Sequence, residues 1–134
     1  MKRYTSIGLA MIGAVTLAGA VNADDAGRDE YLNACASCHG EAGLGDGPLA
    51  QLMTVPVPPL TGLSAANEGK FPMLDVIHNI DGRQETRGHG YPMPVWGKRF
   101  EMQAESEGLG TYGSEAIVRG RILSIAYYLE SIQE

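Results

Sequence analysis

The chain has 134 residues, with 10 basic against 16 acidic side chains and a formal charge of −6. So acidic a balance excludes a nucleic-acid binder, which needs a basic face toward phosphate. It suits either partners with a basic docking face or simply a solvated surface.

Lys2 and Arg3 precede an apolar run of small residues from Ile7 to Val21, and Val21-Asn22-Ala23 offers the small residues a signal peptidase accepts. The expectation is a cleaved secretory signal over residues 1–23 and one small domain over 24–134. The run is short for a spanning helix, and no later stretch is apolar for long enough to cross a bilayer. An uncleaved anchor is the alternative. Without Lys2 and Arg3 the balance is 8 basic to 16 acidic residues, a formal −8. A domain of this size buries only a modest core.

Residues Ala26 to Ala36 read as a helix, with Asp24 or Asp25 as cap and Tyr31, Leu32 and Cys35 on one face. Cys35-Ala36-Ser37-Cys38-His39 follows. On a helical turn the two sulfurs project from one side, where each can form a thioether with a haem vinyl group, and the adjacent imidazole reaches the iron. That assigns one covalent haem c to Cys35 and Cys38, with His39 as iron ligand and no disulfide. A redox-active cysteine pair and half of a zinc site are the competing readings, but no second thiol pair exists to complete a zinc site.

The CASCH pattern resembles the haem-attachment signature of class I c-type cytochromes. The resemblance implies an all-α class I cytochrome c fold, helices and loops wrapped around one haem, and attachment outside the cytoplasm. In that family a small residue and an aromatic, here Gly27 and Tyr31, sit where the first helix crosses the last.

Gly40 to Pro48 holds four glycines around Asp46. It follows no strand and lacks the Lys-Ser/Thr ending of a nucleotide loop, so it reads as turns; it is similar to the GxGDGP loop of bacterial relatives. Val55-Pro-Val-Pro-Pro-Leu-Thr61 must be extended, because each proline fixes φ and keeps its predecessor out of the helical region. The resemblance makes it the strap whose backbone carbonyl, from Pro58 or Pro59, accepts the proton on the far nitrogen of His39. The alternative is a rigid surface loop.

Pro72 with Leu74, Ile77 and Ile80 suggests a helix ending at Asp81-Gly82, packed with Phe71 on the haem edge. Arg83 and Arg87 follow, either as haem-propionate partners or as solvated surface residues.

The second axial ligand comes from Met73, His78, His89, Met93 or Met102. Met93 is favoured, since the prolines flanking it stiffen the backbone that presents it. Met73 and Met102 read as packing on helices, while His78 and His89 are the rivals by chemistry. Met93-Pro-Val-Trp-Gly97, with Asp81-Gly82-Arg83 and His89-Gly90 before it, resembles the MPxWG stretch of a bacterial class I subgroup. Trp96 either donates to a propionate or only packs.

Glu101 to Gly113 reads as a polar loop. A last helix runs from Ser114, its cap, to Ile132 on the spacing of Val118, Ile122, Ile125 and Leu129, with Glu115 at its positive end. Gly120 is expected to admit the helix of Gly27, and Tyr127, Tyr128 and Leu129 resemble the family's aromatic ending. Taken together, these features imply a soluble periplasmic electron carrier, not an enzyme, that docks transiently with redox partner proteins and stays out of the membrane once the signal is removed. It would act as a monomer or as a subunit of an electron-transfer complex. The alternatives are the cytochrome subunit of a dehydrogenase or oxidase and a haem-based sensor or small haem enzyme.

Overall fold

The computed structural model describes residues 23–83 and 93–134. Residues 1–22, which hold most of the expected signal, and Arg87, His89 and Tyr91 lie outside these residues. Every element among them is helical: α1 Ala23–Ala34, α2 Ala36–His39, a 3-10 turn Ala50–Leu52, α3 Leu63–Ala66, α4 Met73–Asp81, α5 Trp96–Ser106 and α6 Gly110–Ser131. No helix among the described residues is long and apolar enough to cross a membrane.

The last helix is the hub. α6 packs against α1, α5 and α4, and its Val118, Ile122, Ile125, Ala126 and Leu129 form a stripe buried with Tyr31, Phe100, Val76 and Ile80. At the α1 crossing Gly27 lies against the carbonyl of Ser124, where a Cβ would also come 3.0 Å from that of Tyr128. This is the close approach expected of Gly27, but its counterpart is Ser124 with Tyr128. Gly120 has open space around it. Arg121 joins the same helices through Glu30 at 2.8 Å and lies over the Phe100 ring, 3.9 Å from its centroid.

Three boundaries differ from the sequence reading. The first helix is already formed at Ala23, the first described residue, so positions 24 and 25 lie inside it and not at its N-cap. Residues 101–113 are not a loop: α5 runs on to Ser106, Gly108 (φ 81) turns the chain, and α6 starts at Gly110. Residues 110–113 are therefore part of the helix, which leaves Ser114 buried within it and not at its cap, its Oγ without a hydrogen bond. In α4 the bounds agree, with Gly82 in the left-handed region (φ 63) as terminator. Its buried residues, however, are Val76 and Ile80, and Leu74 is 69% exposed. α4 faces α5 and α6, because a helix turning 100° per residue cannot bury Leu74 together with Val76 and Ile80.

Candidate functional site

The cysteine turn is built on the end of α1. The Cys35 N–H bonds the Tyr31 carbonyl at 2.8 Å, and the Cys38 and His39 N–H groups both return to the Cys35 carbonyl at 3.1 and 2.9 Å. Tyr31, fully buried, donates its hydroxyl to the Gly40 carbonyl at 2.6 Å and so ties α1 to the residue after His39. Gly45, Gly47 and Leu49 donate their N–H groups to the carbonyls of His39, Cys38 and Ser37. The glycine loop thereby satisfies the carbonyls that the end of α2 would leave unpaired.

The two cysteines are not joined in a disulfide; Cys35 is buried and Cys38 partly so. Burial, with smaller contributions from Cys38 and Glu30, pushes the Cys35 thiol up to about 12. Redox-active cysteine pairs work through a lowered pKa, and this shift has the opposite sign. No group of three or more His, Cys, Asp or Glu among the described residues is arranged to hold a metal ion.

Gly45 (φ 78) lets the proline strap pass over the loop: a Cβ there would lie 2.5 Å from the Val57 carbonyl oxygen. Beneath the strap, Nδ1 of His39 is 3.1 Å from the Pro58 carbonyl oxygen. A carbonyl can only accept, so Nδ1 carries the proton and the lone pair resides on Nε2. Pro58 therefore fills the role that the sequence left open between it and Pro59. The strap's far end is pinned by the chain terminus. Gln133 donates Nε2 to the Leu60 carbonyl at 2.8 Å and accepts from the Ser64 N–H at 2.9 Å, while the Glu134 N–H meets the Thr61 carbonyl at 3.0 Å. No sequence signal marks Gln133, since a lone glutamine after a helix has no pattern.

A cavity of about 600 Å³ opens between the cysteine turn, the strap and the start of α5. Cys35, Cys38, His39, Met53, Val55–Pro58, Met93, Pro94, Trp96 and Arg99 border it. Met93 thus shares one cavity with the CASCH residues. Met73 is packed against the core, His78 is exposed, Met102 is 53% exposed, and none of the three borders the cavity. Two thiols on one wall, an imidazole of fixed tautomer, a thioether and apolar sides are a donor set that fits a haem.

The family model for cytochrome c matches residues 25–106, taking in the cysteine turn, the strap and Met93. The chain belongs to the cytochrome c family. As a class I c-type cytochrome it carries haem c, attached covalently through Cys35 and Cys38, and transfers electrons through its iron. No curated protein and no solved structure matches the chain.

Around the cytochrome's cavity the charged residues differ from expectation. Arg83 does not face it: the guanidinium grips Asp81 through Nε at 2.6 Å and Nη2 at 2.9 Å, and Glu115 through Nη1 at 2.7 Å. These bonds hold its pKa above the ordinary arginine value. Arg99 is the charged side chain on the described lining, lying 5.3 Å from the centroid of the Trp96 ring it covers. Helical spacing from Trp96 would have pointed to it, since residues three apart share a face. Trp96 itself packs on Phe100, with ring centroids 5.6 Å apart.

Proposed function

We propose that this cytochrome is an exported, periplasmic monohaem carrier whose iron is held between His39 and Met93, passing single electrons between respiratory or dehydrogenase partners. On this reading residues 1–23 are a cleaved signal peptide and 24–134 the haem domain. The observation that carries it is that Met93 borders the same cavity as Cys35, Cys38 and His39, while Nδ1 of His39 is engaged by Pro58.

Bound haem supplies one-electron exchange between ferrous and ferric iron. The chain's part is to keep both ligands in place in both states, so that little rearranges and no position is open to a substrate. The Pro58 carbonyl orients His39 and makes its imidazole more basic. The Met93 thioether, a soft neutral donor, favours the ferrous state and raises the potential above that of a bis-imidazole pair. On the cavity lining Leu49 and Val55 are 43% and 55% exposed, and Leu52, between them in sequence, is 76% exposed. They suit a small, transient contact with a redox partner.

The test is the optical spectrum of the oxidised holoprotein beside that of Met93→Ala. A far-red sulfur-to-iron charge-transfer band in the parent, absent in the variant, is the expected result. A parent spectrum of high-spin or bis-imidazole type would overturn the Met93 assignment.

A further inference from the structure

The chain leaves α4 at Gly82 and enters α5 at Trp96, with Met93 three residues before that helix. The two ends of this connection meet. A Cβ on Gly82 would lie 3.4 Å from the Cα of Val95, and one on Gly97 would lie 2.7 Å from Nε of Arg83 and 2.8 Å from the Asp81 carbonyl oxygen, besides colliding with the Asp81 carboxylate. The Asp81–Arg83 fork is thus seated directly on the backbone of α5's first turn. Arg83 then reaches across to Glu115 at 2.7 Å, which fastens the same point to α6. A glycine is required at 97 by this contact, since any side chain would displace the fork.

From this we infer that Asp81, Arg83, Gly97 and Glu115 form a positioning clamp that holds Met93 in register with the iron. The inference rests on the Met93 reading above. A thioether is neutral and binds weakly compared with an imidazole, so its occupancy depends on how little freedom it surrenders when it binds. Holding Gly82 against Val95, and Gly97 against the Asp81–Arg83 fork, removes that freedom beforehand. None of the clamp residues borders the cavity; they act through the backbone that carries Met93. Replacing Arg83 removes the cation that joins Asp81 to Glu115, leaving Glu115 bonded to Arg119 alone and the α4–α5 junction unfastened from α6.

The experiment titrates oxidised holoprotein with imidazole and follows loss of the sulfur-to-iron band in the parent, Arg83→Gln, Arg83→Lys, Gly97→Ala and Arg119→Gln. Far-ultraviolet ellipticity confirms that each remains helical at the assay temperature. Arg119 bonds the other side of Glu115 from an exposed position and serves as the control. The half-displacement concentration should fall about tenfold in Arg83→Gln and Gly97→Ala, which corresponds to about 1.4 kcal/mol. It should fall by less in Arg83→Lys, which keeps the charge but not the fork, and stay unchanged in Arg119→Gln. A band in the parent with equal displacement in every variant overturns the clamp and leaves Met93 as ligand. Absence of the band from the parent overturns the Met93 reading itself, and the clamp with it.

Discussion

Tyr31→Phe isolates one hydrogen bond and leaves the packing in place. The ring stays fully buried against Tyr128, 5.1 Å between centroids, and only the hydroxyl donating to the Gly40 carbonyl at 2.6 Å is lost. Removing a donor from a buried acceptor costs the net bond plus the stranded carbonyl, together about 2 kcal/mol. In urea at neutral pH the midpoint of the holoprotein should fall by about 1 M at unchanged slope. The cost also has a pH signature. Burial first, and the neighbouring charges second, hold the Tyr31 hydroxyl above its ordinary value of 10.0. Cys35, as a thioether, no longer contributes to that shift, but burial remains. A group whose folded pKa is raised stabilises fully below its unfolded pKa and loses that contribution as pH rises toward the folded one. Between those two values the unfolded chain has released a proton that the native state retains. The parent's advantage over Tyr31→Phe should therefore hold up to about pH 10 and then shrink by about 1.4 kcal/mol per unit. A loss below about 0.5 kcal/mol at neutral pH, or an advantage unchanged above pH 10, would refute the role given to this hydroxyl.

Gly27→Ala should destabilise by about 1–3 kcal/mol, because its Cβ meets the Ser124 carbonyl and Tyr128; Gly120→Ala, in open space within α6, should gain about 0.5–1 kcal/mol in the same melt. Arg83 first and Arg119 second lower Glu115 to about 2, so its contribution is present above pH 4.5 and is lost as pH falls toward 2. With the carboxylate 35% exposed and solvent-screened, Glu115→Gln should remove no more than about 1 kcal/mol of the acid dependence in a pH series of melts. Arg99→Gln takes a cation from the cavity wall and should lower the midpoint potential in a redox titration, because a nearby positive charge favours the reduced, less positive site. Gln133→Ala releases the Leu60 carbonyl and the Ser64 N–H at the end of the strap, and should cost about 1–2 kcal/mol in thermal unfolding of the holoprotein.

What the sequence could disclose followed the range of each interaction. Cys35, Cys38 and His39 are legible because three reactive groups must share one turn, and chemistry fixes their spacing. The Pro58 carbonyl was nearly legible, since prolines stiffen the strap and leave only adjacent carbonyls to choose between. α4 ended where Gly82 promised, because a left-handed terminator is a local requirement. The failures were tertiary. Ser114 has the chemistry of a cap and is instead buried by helix packing, and a propensity argument carries no information about which helix lies opposite.

Arg83 makes the same point for the site. A guanidinium near a propionate and one gripping two carboxylates look alike in a sequence; only the fold brings Glu115 to within 2.7 Å of residue 83. The sequence left Arg83 open between a propionate and the solvent, and the fold gives it two carboxylates. That pairing removes a cation from the cavity and puts it at the base of the methionine segment, leaving Arg99 as the charge on the described wall. The glycine in the Met93–Gly97 stretch then has a physical reason unrelated to turns: it is the floor on which the Asp81–Arg83 fork rests. If the clamp holds Met93 as proposed, binding at the iron and folding at the α4–α5 junction become one problem, and a change at Arg83 should be read at the iron as well as in stability.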